Sequence, residues 1–193
     1  GTIETRAKEA DASAKLLGVA FRENMNFKDA FIFNDEYHQR KVISVIRKYA
    51  PEVVLCNAVS DRHTDHAKAA ELVSHACFLS GLQKIETLDD NGALQEAFRP
   101  HHVFHYIQWD DLTPDIVINI TGHLDKKMAA IKTFKSQFYD PQSNERDTPI
   151  SSLNFLESVA SRAKNMGRLI NKEAGEGFTT ERLLALENFD ALL

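Results

Sequence analysis

Apolar positions in this chain fall into two patterns, helix-spaced stripes and short unbroken runs. Their alternation predicts an α/β fold with a largely parallel sheet. Residues 2–17 are Ala-rich and end on Leu16-Leu17 before Gly18, which reads as a helix with a glycine stop. Residues 19–24 suit a short strand. Residues 36–49 predict a helix capped by Asn34 or Asp35, with Val42, Val45 and Ile46 on one face and Pro51 just beyond. Val53-Val54-Leu55-Cys56 has no polar interruption, as expected of a parallel strand buried on both faces. After a polar loop, residues 65–80 predict a helix with Ala69, Leu72, Val73 and Ala76 inward and Gly81 as its stop. Strands are expected at 102–108 and 115–121, and helices at 124–138 and 151–170. Polar loops are expected at 139–148 and at Gly175-Glu176-Gly177-Phe178.

The pattern has an odd start. A doubly wound sheet places its first strand before its first crossover helix. Here the chain begins in a helix, and one strong buried run precedes the next polar loop, so the pattern enters such a fold partway. At 193 residues the expectation is a single α/β domain over residues 1–193. Hydrophobic residues make up 43% and charged residues 26%, which places the chain among ordinary globular proteins. The net charge of −5, with no basic stripe, disfavours nucleic acid and anionic membrane surfaces as partners. No apolar run reaches the roughly 20 residues that span a bilayer. Cys56 and Cys77 fall within predicted elements and do not form a disulfide framework, so a cytoplasmic compartment is expected.

The chemistry gathers at His63-Thr64-Asp65-His66, directly where the Val53–Cys56 run gives way to a helix. Ligands of open α/β sheets bind outside the carboxyl ends of the strands. Imidazole suits zinc and similar divalent metals, and a nearby carboxylate commonly orients it. His66 at the helix start can ligate; His63 can face a reacting carbonyl; Asp65 can hold His63 protonated as an acid or oxyanion stabiliser. The opposing reading also stays open: Asp65 as a plain N-cap, with both histidines exposed in a loop. His38 and His75 read as ordinary helix residues, and His123 as a helix-entry residue. His101, His102 and His105 surround a strand start without an acidic or Cys partner at short spacing. Cys56 reads as a small core residue.

At this corner the chain resembles the LmbE-like, or PIG-L, family of zinc-dependent N-acetylglucosamine de-N-acetylases, whose His-Pro-Asp-His motif it matches with Thr64 in place of Pro. The likeness continues through Arg6-x-x-Glu9-Ala10, Leu17-Gly18-Val19, Arg22-Glu23-Asn24, Ala69-Ala70-x-Leu72-Val73 and Gly81-Leu82-x-Lys84. It takes in Arg99-Pro100 and His105-Tyr106-Ile107-Gln108, then Lys126-Lys127-Met128-Ala129-Ala130, Lys135-Ser136-Gln137-Phe138 and Glu176-Gly177-Phe178. It points most closely to the bacillithiol-pathway branch, which deacetylates N-acetylglucosaminyl-malate. The resemblance implies a Rossmann-like fold with helices on both faces, assembled as trimers or hexamers. It implies His66 as a ligand of zinc or another divalent metal, His63 as oxyanion stabiliser and acid, Asp65 as its orienting partner, and Arg99 as a substrate-binding residue.

One departure is large. The family's first motif, Ala-His-Pro-Asp-Asp, follows its first strand and supplies two zinc ligands and the general base; no segment here matches it. The expectation is therefore an LmbE-like fold lacking its first strand, with the other metal ligands on a missing upstream segment. The rival is a non-catalytic homologue that binds a sugar or builds an oligomer.

Overall fold

The computed structural model describes residues 1–143 and 145–192, so Asn144 of the expected polar loop at 139–148 lies outside the described residues. The elements in chain order are α1 (Ile3–Leu17), α2 (Glu36–Tyr49), β1 (Val53–Cys56), α3 (Thr64–Ser80), β2 (His102–Tyr106), β3 (Ile116–Asn119), α4 (Leu124–Lys132), α5 (Leu153–Leu169) and β4 (Gly175–Thr180), closed by a short 3-10 turn, Phe189–Leu192. The strands run in the order β1-β2-β4-β3. β1 and β2 are parallel and β4 is antiparallel to β2, so the sheet is mixed.

Two compact units divide the chain: Gly1–Asn24 with Val117–Glu176, and Met25–Ile116 with Gly177–Leu193. In the first, α1, α4 and α5 pack together. Thr2 caps α1 through its hydroxyl, and Gly18, at φ 77°, closes it in the left-handed conformation that glycine adopts without strain. The Glu9 carboxylate accepts from both the backbone N–H and the hydroxyl of Ser136, at 2.8 and 2.7 Å. Lys127 pairs with Glu176. Segments far apart in sequence thus meet through paired polar groups.

In the second unit, α2 and α3 cover one face of β1 and β2. Val42, Ile43 and Ile46 of α2 meet Leu72, Ala76 and Cys77 of α3, Cys56 of β1 and Val103 of β2 in one buried cluster. Arg47 is itself buried. Its guanidinium donates to the carbonyls of Ser80, Leu82 and Ile85 and to Thr87 Oγ1, so one side chain satisfies the end of α3 and the loop beyond it.

Several expectations are corrected here. β1 is not buried on both faces: Val53 is 49% and Leu55 59% exposed, on the face opposite Val54 and Cys56, which pack into the cluster with α2 and α3. Residues 19–24 form no strand. The helix expected to reach residue 138 stops at Lys132, where the Thr133 hydroxyl donates back to Ala130 O and competes with the helical ladder. The expected loop Gly175-Glu176-Gly177-Phe178 is β4. A Cβ on Gly175 would meet Val117 Cγ1 at 2.7 Å, so this glycine marks a close approach inside the sheet rather than a turn.

Ile43 is 1% exposed, so Ile43→Ala should destabilise the protein by about 2–5 kcal/mol in denaturant titration. Gly167→Ala should also lower the Tm, since a Cβ there would meet Ala174 backbone atoms at 2.5 Å. An unchanged midpoint for either variant would contradict this packing.

Candidate functional site

All residues of the corner lie in the second unit. β1 ends at Cys56, and the loop that follows returns to α3 at Thr64. His63 is the N-cap of α3: its backbone is extended, and its Nδ1 accepts the backbone N–H of Asp65 at 3.3 Å. The cap is therefore an imidazole, not Asp65, which sits in the first turn. Because His63 Nδ1 accepts, its ring proton resides on Nε2.

Asp65 is 5% exposed. Its Oδ2 accepts the backbone N–H of Ala30 at 2.6 Å, and its Oδ1 is buried with no partner among the described residues. The carboxylate thus holds the turn at Ala30 (φ 65°) rather than the His63 ring, correcting the expected contact. Asp65 reaches His63 through its N–H instead.

His66 stands beside His63, with ring centroids 5.2 Å apart. Its Nδ1 lies 2.9 Å from Asp61 Oδ1, a contact too bent for a well-formed hydrogen bond, and the ring is 29% exposed while Nδ1 itself is sealed from solvent. Asp61, absent from the expected site, has its side chain only 3% exposed. Burial pushes its carboxyl up, but the backbone N–H groups of His63 and Trp109, together with His66, outweigh that and hold it below the usual carboxylate value.

A second polar cluster lies behind the strands. His105 is 4% exposed; its Nδ1 is 2.8 Å from Asn57 O and 3.2 Å from Cys56 Sγ, and its Nε2 is 3.0 Å from Glu181 Oε1. His105 therefore joins the loop after β1 to the end of β4, with the acidic partner supplied from 76 residues away, where sequence spacing could not reveal it. Three further histidines lie elsewhere: His38 bonds Asp35, His75 bonds Asn34, and His123 occupies the N-cap of α4.

Arg99 is not part of the corner. It donates to Phe78 O in the last turn of α3 and lies over the Phe78 ring, whereas His63 caps the first turn. The length of α3 separates them by about 20 Å. The structure thus sets Arg99 apart from the corner, against Phe78.

As a metal centre the corner is partial. His66 Nε2 suits one ligand position, but among the described residues no group of three or more His, Cys, Asp or Glu could hold an ion. A catalytic zinc uses three protein ligands, so the described residues do not hold one alone.

Residues 1–77 match the family model described as PIG-L, GlcNAc-PI de-N-acetylase. The chain is similar to the PIG-L family. It is 27% identical over 140 residues to the diacetylchitobiose deacetylase of Thermococcus kodakarensis, covering 69% of this chain and 49% of that protein. The PIG-L-like chain thus spans about half the length of the curated relative it matches. Its fold superposes on a conserved protein of Thermus thermophilus with a TM-score of 0.81 at 26% identity, over 97% of this chain and 78% of that one. It also superposes on the N,N'-diacetylchitobiose deacetylase of Pyrococcus horikoshii in complex with an inhibitor, with a TM-score of 0.72 at 23% identity, over 92% and 63% of the two chains. The 4-carboxy-2-hydroxymuconate hydratase of Pseudomonas putida gives 0.71 at 22% identity, over 96% and 74%. These last two likenesses speak for the fold alone.

Burial pushes both Cys56 and Cys77 thiols up to about 12, with nearby Glu181 adding to it and Cys77 adding to it at Cys56. The thiolate is the reactive form. Alkylation of the native protein near pH 8 should therefore be slow at both sites and fast only after unfolding; rapid native labelling would contradict the buried placement.

Proposed function

We propose that this chain is the larger part of a metal-dependent hydrolase that removes an N-acetyl group from an N-acetylglucosamine-containing small molecule. The observation that carries this is the pairing of two imidazoles at the start of α3, one of which presents Nε2–H. Amide hydrolysis develops an oxyanion and expels an amine that must be protonated. An Nε2–H donor held by the helix start serves the first need and is assigned to His63; protonating the amine requires that ring as imidazolium, because a neutral imidazole cannot give up its one ring proton. The PIG-L likeness and the deacetylase relative support the sugar-amide substrate class. We infer N-acetylglucosaminyl-malate, in a cytoplasmic bacillithiol pathway, as the first substrate to test. That choice rests on the resemblance of the sequence blocks. Among the described residues no helix is long and apolar enough to cross a membrane.

Zinc, when bound, would polarise the acyl carbonyl and lower the pKa of a coordinated water; His66 is assigned as one of its ligands. The remaining ligands and the general base are assigned to residues outside this chain, on an upstream segment. Two observations support that assignment: the unpartnered Asp65 Oδ1 beside the corner and the open edge of β1. Assembly into a homo-oligomer, a trimer or a hexamer, would cover apolar side chains such as Phe31 and Phe33, each 50% exposed.

The second reading, a sugar-binding or oligomer-forming homologue without catalysis, is favoured by the absence of a three-ligand set among the described residues. Amine release from N-acetylglucosaminyl-malate by the full-length protein separates the two. On the proposed reading, His63→Ala keeps the metal and lowers kcat on the order of 10²-fold or more. His66→Ala loses bound zinc. Full activity in the first variant, or stoichiometric zinc in the second, would remove that residue from its role.

A further inference from the structure

Asp61 belongs to no motif that the sequence singled out, and it lies in a polar loop where acids are ordinarily solvated. Its side chain is nonetheless 3% exposed. A carboxylate is retained at such a depth only where N–H groups surround it. Oδ1 accepts the backbone N–H of His63 at 3.1 Å and stands 2.9 Å from His66 Nδ1; Oδ2 accepts the backbone N–H of Trp109 at 3.0 Å. One oxygen pair thereby ties the cap of α3, the second imidazole and the chain beyond β2.

The contact with His66 has a consequence for its ring. Although the contact is too bent for a well-formed hydrogen bond, a carboxylate oxygen 2.9 Å from an imidazole nitrogen favours a proton on that nitrogen, because two lone pairs at that distance repel. In neutral His66 that proton sits on Nδ1, and the lone pair is left on Nε2, the edge of the ring that is not sealed. His63 has the reverse arrangement, since its Nδ1 accepts from Asp65 N.

We propose that Asp61 is a positioning residue that fixes His66 as the Nδ1–H tautomer, so that a lone pair on His66 Nε2 faces outward beside the Nε2–H of His63. The two rings, 5.2 Å apart, then carry one acceptor and one donor on neighbouring side chains. Its relevance to amide hydrolysis rests on the proposed function; the tautomers themselves do not. Merely capping the two backbone N–H groups would be a structural role and would not choose a tautomer for His66.

Side-chain nitrogen correlation spectra of the metal-free, full-length protein, labelled with 15N at histidine, distinguish the two roles at a pH where imidazole is neutral. His66 should appear as Nδ1–H and His63 as Nε2–H. In Asp61→Asn, an amide NH₂ facing the ring favours an accepting Nδ1, so His66 should shift towards Nε2–H while His63 keeps its form. Asp61→Glu, which retains the carboxylate, should restore part of the Nδ1–H population. Wild-type His66 found as Nε2–H overturns the proposal whether or not the variants fold. So does an Asp61→Asn protein with a native backbone spectrum whose His66 remains Nδ1–H. Failure of the deacetylase reading would show as absent amine release with these spectra unchanged.

Discussion

A helix that begins at the end of a strand leaves backbone N–H groups without partners. In this protein the side chains that satisfy them are those that carry the candidate chemistry. His63 Nδ1 takes the N–H of Asp65 and Asp61 takes the N–H of His63, while Asp65 ties the helix start to the N–H of Ala30 in the loop before α2. Each of these bonds also orients or fixes the protonation of a functional group. The corner is therefore rigid for the same reason that α3 starts where it does, and substitutions there disturb the helix start and the site together.

The fold itself does not choose a reaction. Solved structures of similar shape include a deacetylase and a hydratase, at TM-scores of 0.72 and 0.71. What distinguishes this chain lies in a few residues after β1, placed by a core that α2 and α3 share with two parallel strands. Arg47 stabilises the other end of α3 in the same economical way, serving four acceptors with one guanidinium. The helix is fixed at both ends by polar side chains, and its middle is fixed by Leu72, Ala76 and Cys77.

Much of this was legible in the sequence wherever a local pattern has a local cause. The glycine stop of α1 and the apolar stripe of α3 follow from spacing alone, as does a cap of α2 at Asn34 or Asp35, which the structure places at Asp35. Long-range features were not legible. β4 carries glycines where its neighbours come close, which reads as a loop until Val117 is seen against Gly175. Exposure of Val53 and Leu55 depends on which face of β1 the helices α2 and α3 pack against, which an unbroken apolar run does not tell. Asp61 matters through His66 and through Trp109, 48 residues away, and Arg99 fell outside the corner because the helix between them is long. The aspartate two residues before His63 was visible throughout; only the fold shows that its side chain is enclosed.

The most direct measurement is an anomalous-difference map from crystals of the full-length protein grown with zinc. The account predicts a peak about 2.0–2.1 Å from His66 Nε2, with His66 Nδ1 turned to Asp61 and His63 beside the ion but not bound to it. Zinc held by neither imidazole of the corner, or bound through His66 Nδ1 with Asp61 displaced, would contradict it.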